Sequence, residues 1–230
     1  MQNIGVDGCK GGWVACWRED CALKFQIFTH FKLLVDTFGD QTRIAVDMPI
    51  GLPDLVGAGG RGPEGLIRPL LGTRKSSVFS IPSRRAVYTQ TYPEACEAAF
   101  ETSNPQRKIS KQGFFLFSKI REIDAALCAD KTLRLRVFET HPELIFCKLK
   151  NQPLQFSKKT MEGAAERTEL LRQFGLPVGD WPKLKGAAQD DIIDAAACLV
   201  TAEQISAGVA QSFPPNPALD SLGIPLAIWA

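Results

Sequence analysis

Two short segments of this chain run apolar residues into an aspartate. Ile4-Gly5-Val6-Asp7-Gly8 ends on Asp7, and Arg43-Ile44-Ala45-Val46-Asp47-Met48-Pro49 ends on Asp47. Branched residues such as Ile4, Val6, Ile44 and Val46 suit buried strands. A carboxylate left at a buried strand end costs several kcal/mol unless something pairs with it. If the two strands are parallel neighbours, their end carboxylates stand side by side, where ligand sites of open α/β sheets lie. Adjacent carboxylates repel, and a divalent cation relieves the repulsion. Further acids join this pattern. Leu133-Arg134-Leu135-Arg136-Val137-Phe138-Glu139 alternates and ends on Glu139, and Asp190, Asp191 and Asp194 open a helix at spacings that share one side. Asp190 and Asp191 also suit a helix amino end as ordinary caps, whereas Asp194 lies a turn inside, among apolar residues.

Oxygen ligands in this number suit Mg²⁺ or Mn²⁺ rather than zinc. Two such ions roughly 3.5–4 Å apart activate a water and stabilise the leaving oxygen in phosphodiester cleavage. Competing chemistries lack their marks. There is no G-x-x-x-x-G-K-[ST] loop, since Gly8-Cys9-Lys10-Gly11-Gly12 lacks its spacing, and no G-x-S-x-G elbow. The chain has two histidines. His141, between Glu139 and Glu143, is a candidate for proton transfer or phosphate binding, or equally a buried structural residue before a proline.

The elements that must carry these residues follow from periodicity. After the first strand, Trp13–Trp17 and Leu23–Phe28 read as two more, too close for crossover helices, which predicts an antiparallel meander. Phe31, Leu34, Val35 and Phe38 recur at helical spacing up to Gly39. The Ile44–Asp47 strand can then join parallel to the first. Residues 50 to 130 break the rhythm with a glycine run (Gly57, Gly59, Gly60, Gly62), a hydroxyl-rich basic segment (Arg74 to Arg85), a short helix at Tyr92–Phe100 and a longer one from Ser110 through Leu127. This stretch reads as an insertion on one domain spanning residues 1–230. Helices are predicted around Leu170–Phe174 and from Asp190 to about Gln204, and Ile224–Trp229 as a final edge strand. Ala195, Ala196 and Ala197 are small enough to let the last helix lie close on the sheet. The Phe114/Phe117 spacing reads as core.

Net charge is only +2, but its distribution is uneven. From Arg61 to Arg121 there are eleven Lys and Arg against four Glu, a local +7, so the remainder carries −5. A basic segment beside an acidic site suits a polyanionic substrate that also meets metal ions, and Arg74, Lys75, Ser76, Arg84, Arg85 and Lys111 are the candidate phosphate contacts. Plain surface solvation accounts for the asymmetry equally well. Seven cysteines without C-x-x-C spacing argue against a disulfide framework or zinc site and for a reducing, cytoplasmic compartment. No apolar run approaches the roughly 18 residues of a membrane span. Asp7 and Lys10 interrupt any secretory leader, so none is expected.

The segments GVDGCKGGW (5–13), VDMPIGLP (46–53), RKSSVFSIPSR (74–84), SKQGFFLFSKIREID (110–124), ETHPELIF (139–146) and DDIIDAAACL (190–199) run through nearly the whole chain. In these the chain resembles the ribonuclease H-like superfamily, and within it the family of predicted ribonuclease H-like nucleases. RuvC-like resolvases of the same superfamily also carry an Asp- and Ala-rich last helix. The resemblance implies an α/β fold in which a three-strand antiparallel meander continues into parallel strands flanked by helices. It implies Asp7, Asp47 and Asp191 or Asp194 as ligands of Mg²⁺ or Mn²⁺, with Glu139 a fourth acid. The expectation is a metal-dependent nuclease acting on DNA, RNA or a nucleotide. The alternatives are an actin-like or sugar-kinase-like phosphotransferase, which normally needs a second domain, and a nucleic-acid-binding module without chemistry.

Overall fold

In the computed structural model, which describes residues 1–230, strands β1 (Gln2–Cys9), β2 (Gly12–Glu19) and β3 (Ala22–Phe28) form the expected antiparallel meander. Helix α1 (Phe31–Phe38) returns the chain, and β4 (Thr42–Asp47) pairs parallel to β1. The long insertion carries the short helices α2 (Pro63–Ile67) and α3 (Arg84–Val87) and then α4 (Tyr92–Glu101). Beyond it, β5 (Val137–Thr140) adds parallel to β4, and the sheet closes with β6 (Ser212–Leu219) and β7 (Pro225–Trp229) in the order β3-β2-β1-β4-β5-β7-β6. This seven-stranded mixed sheet, flanked by helices on both faces, is the α/β architecture expected and is compatible with a ribonuclease H-like fold.

Strand alternation decides which residues meet which helices. Ile4, Val6, Ile44 and Val46 point to one face, where they share a cluster with Phe31 and Leu34 of α1 and with Phe117, Ile120 and Ile123 of α6 (Phe117–Ala129). Ile81, Val87 and Ala95 of the insertion join the same cluster. Gly5, Asp7, Ala45 and Asp47 fall to the other face, which α9 (Gln189–Ala207) covers, packing on β1, β4 and β2. Ala45 meets Cys198 and Ala202 of that helix. The approach is close enough to require glycine at one point. A Cβ on Gly5 would lie 2.1 Å from both the Ala195 carbonyl oxygen and the Leu199 nitrogen. Helices α7 (Pro142–Lys150) and α8 (Met161–Gln173) pack beside α9 on this face.

Several elements differ from the sequence reading. Residues Lys131–Leu135 form a 3-10 turn, and the strand begins only at Val137. Asp130 sets that turn by accepting from the Thr132 backbone N–H at 2.8 Å and its hydroxyl at 2.7 Å. The predicted helix from Ser110 is two helices, α5 (Lys111–Phe114) and α6, with Ser110 capping the first through the Gly113 N–H. The final strand is not the edge. β7 lies between β5 and β6, and the edge is β6, whose Pro214, Pro215 and Pro217 concealed it. Prolines lack a ladder donor, so an edge is where a sheet tolerates them. No helix is long and apolar enough to cross a membrane.

Candidate metal centre

The parallel register of β1 and β4 sets Asp7 directly opposite Asp47. Both carboxylates emerge on the α9 face, where Asp194, one turn into α9, meets them. One oxygen from each of Asp7, Asp47 and Asp194 lies within 4.8 Å of the others. Asp7 and Asp194 are buried and Asp47 half-buried. Few protein donors satisfy them. Asp7 accepts from the neighbouring Gly8 N–H at 2.7 Å, and Asp194 accepts from Lys158 at 2.6 Å. Asp47 receives no side-chain hydrogen bond.

The electrostatics follow from that crowding. Burial, then the charges of Asp47 and Asp194, push the Asp7 carboxyl well above the usual carboxylate range. Burial raises Asp47 to about 7 and Asp194 to about 6, each against the pull of Lys158. Lys158 stands on the loop before α8. Burial opposes its charge, but Asp194, Asp7 and Asp47 outweigh burial and hold the ammonium protonated above its ordinary range. One lysine offsets one of three carboxylates, so a net negative, oxygen-lined site remains. That donor set fits a hard divalent cation.

The other predicted acids are placed differently. Asp191 Oδ2 accepts from the Ala188 N–H at 2.8 Å, capping the start of α9, and Asp190 lies 3.6 Å from Lys158. Glu139 is the register partner of Val46, not of Asp47, and alternates with Val137 toward the α1/α6 face. Its carboxylate is taken by the buried Arg61 guanidinium, at 2.7 and 3.1 Å, and by the Ile50 N–H at 2.7 Å. Arg61 also donates to the Ile50 and Gly51 carbonyls and to Glu64. The pair thus staples the loop that leaves Asp47.

A cavity of about 410 Å³ opens over the three aspartates. Its wall includes Glu139 and, at the start of α7, His141 and Glu143. Glu143 Oε1 accepts from Arg167 at 2.7 Å, while Oε2 is buried without a partner. The charge of Glu143 raises both Asp47 and Asp194. Burial lowers the His141 imidazole below its ordinary range, and its Nδ1 is buried without a partner.

The model of the family described as protein of unknown function (DUF429) matches residues 5–219. The chain belongs to the DUF429 family. The match takes in the end of β1 and all of β4, α7 and α9, and so every residue of the acidic centre. Neither the curated proteins nor the solved structures give a match.

In this DUF429 protein the basic residues expected to hold phosphates lie off the cavity. Arg74 donates to the Gln155 carbonyl at 3.0 Å. Arg84 bridges Asp124 and Asp220, and Arg85 pairs with Glu101 at 2.6 Å. Lys75, Ser76 and Lys111 are exposed. The cations that line the cavity are Arg61, Lys119 and Lys158. Lys119 crosses the end of β1, donating to the Gly12 carbonyl with its ammonium 4.6 Å from the Trp13 ring centroid. A basic residue at helical spacing in α6, or beside another lysine in a loop like Lys158, carries no local signal that separates it from a solvated charge.

Proposed function

We propose that this protein is a divalent-metal-dependent phosphodiester hydrolase, a nuclease in the broad sense, working at Asp7, Asp47 and Asp194. The observation that carries the reading is the convergence of three carboxylates from three separate elements within 4.8 Å, with only Lys158 to offset them. Mg²⁺ or Mn²⁺ bound there would supply Lewis-acid polarisation of a phosphoryl oxygen and a nucleophilic water at neutral pH. Asp7 and Asp47, fixed by adjacent strands, set the ligand geometry, and Asp194 closes it from α9. Glu143, with one buried carboxylate oxygen free, is the acid placed to serve a second ion. Lys158 and Lys119 supply positive charge for the phosphate on either side of the acids. His141, held neutral by burial, has a ring nitrogen free to accept or relay a proton at the cavity wall.

Incubation of the protein with end-labelled single-stranded and duplex oligonucleotides, in Mn²⁺, Mg²⁺ or chelator, tests this reading. Cleavage is expected only with metal, and Asp7→Asn should reduce it to the chelator level. Cleavage that persists in chelator or in the variant contradicts the assignment. Metal binding without any cleavage favours the non-catalytic binding module.

A further inference from the structure

The cavity above the aspartates is two-sided. Its floor is ionic, with Asp7, Asp47, Asp194 and Lys158, and its rim is apolar and aromatic, with Phe115 and Phe79. Phe115 is the telling residue. Its neighbours Phe114 and Phe117 turn inward, their rings 5.3 Å apart, and Phe114 also packs on Tyr92 at 5.7 Å. The break between α5 and α6 leaves Phe115 between them with 67% of its surface exposed. An exposed phenylalanine at the mouth of a charged cavity has no packing role there. A flat ring beside an anion site matches a ligand with a flat apolar part and an anionic part.

Resting on the reading of the acids as a metal centre for phosphate chemistry, we infer that the site takes one unpaired nucleotide, its base stacked on Phe115 and its phosphate over the aspartates. The volume agrees, since about 410 Å³ lies within the range of small-molecule sites, roughly 300–1,000 Å³. The chemistry agrees as well. Bases within a duplex have both faces covered by their neighbours, so only an unpaired base can stack on a side chain. The surrounding charge points the same way. Of the basic residues in the insertion, Arg84 is held by Asp124 and Asp220 and Arg74 by a backbone carbonyl, and Lys75 and Lys111, though exposed, do not line the cavity. The cations at the site itself are therefore few for a protein that tracks a long backbone. The unpaired unit comes from either a free nucleotide or the end of a single strand, which share this chemistry.

Calorimetric titration of the Mn²⁺-loaded protein separates the contributions. The probes are adenosine 5′-monophosphate, ribose 5-phosphate, a single-stranded oligonucleotide and its duplex. Base stacking should make the nucleotide bind roughly 5- to 100-fold tighter than ribose 5-phosphate. Phe115→Ala should remove that difference and leave ribose 5-phosphate unchanged, and Phe115→Trp should keep it. Phe115 is exposed, so neither variant threatens folding. A single strand that competes with the nucleotide supports the strand-end source, and one that does not supports the free nucleotide. Equal affinity for nucleotide and ribose 5-phosphate, a preference that survives Phe115→Ala, or a duplex that binds tighter than the single strand overturns the inference. A protein that takes Mn²⁺ but shows no base preference contradicts this inference alone. A protein that takes no Mn²⁺ contradicts the metal reading and this inference with it.

Discussion

Lys158 donates to Asp194 at 2.6 Å and is the one cation in an ion pair with any member of the three-aspartate cluster. The ammonium stands where a metal ion's charge is also needed, so lysine and metal offset the same repulsion. Lys158→Met keeps the apolar stem and removes the charge. In chelator at pH 8 the variant should lose about 2 kcal/mol, the worth of a hydrogen bond to a charged group. Its gain in melting temperature on adding Mn²⁺ should exceed the parent's, because the ion then relieves more repulsion. A smaller gain than the parent's would mean that the lysine organises the site for the metal instead of sharing its task.

The raised carboxyls predict how pH acts on the metal-free and metal-bound protein. Asp47 and Asp194 titrate near 7 and 6 in the fold, above their unfolded range near 3.9. The folded state therefore binds more protons than the unfolded state between these values. Stability from these groups falls as pH rises from about 4 to about 7 and is flat beyond. Protons and Mn²⁺ compete for the same oxygens, so stabilisation by Mn²⁺ should grow across this window. Melting curves from about pH 5 to pH 8, with chelator and with Mn²⁺, measure both trends. An equal Mn²⁺ effect at both ends would contradict ligation by these groups.

Gly5 offers a test of how α9 is held. Its Cβ would collide with the backbone of Ala195 and Leu199, which no rotamer change can relieve. Gly5→Ala should cost about 3 kcal/mol or more, as overpacking against rigid atoms does. It should also weaken Mn²⁺ binding by moving Asp194 away from Asp7. Full stability with normal metal binding would show that the helix is less tightly seated than the contact distances require.

Glu139 and Asp47 both lie at the carboxyl ends of neighbouring strands, Glu139 one residue before the last, yet their substitutions should behave oppositely. Glu139→Gln leaves the buried Arg61 with Glu64 as its one remaining charge partner and should cost about 3 kcal/mol. Burial raises Glu139 to about 7, so the comparison belongs at pH 8, where it is ionised. The Mn²⁺ gain should survive. Asp47→Asn removes a repelling charge that accepts no side-chain hydrogen bond. It should leave the metal-free protein as stable as the parent, or slightly more so, and abolish most of the Mn²⁺ gain. Matching melting behaviour of the two variants would dissolve the distinction drawn between them.

That distinction shows where sequence reading stops. Asp7 and Asp47 were legible because alternating apolar residues run straight into them, and Asp194 because it lies a turn inside an apolar, alanine-rich helix. The choice between Asp191 and Asp194 depends on a cap contact with Ala188 that spacing alone does not reveal. Glu139 looks like Asp47 in sequence, but the β4–β5 register, set across the long insertion between the two strands, pairs it with Val46. Lys158 and Glu143 have meaning only once α8 and α7 fold beside α9. The β6 edge was hidden by its prolines, which usually mark the end of structure. Local pattern shows which residues end a strand; pairing decides which of them meet.

The most direct test is a crystal structure of the protein with Mn²⁺, read by anomalous scattering. The account predicts a peak among Asp7, Asp47 and Asp194, with an oxygen of each within about 2.0–2.3 Å of the ion. Lys158 should be displaced from Asp194 or redirected toward Asp190. A manganese peak elsewhere on the protein, or none at saturating Mn²⁺ with the three carboxylates unchanged, would contradict it.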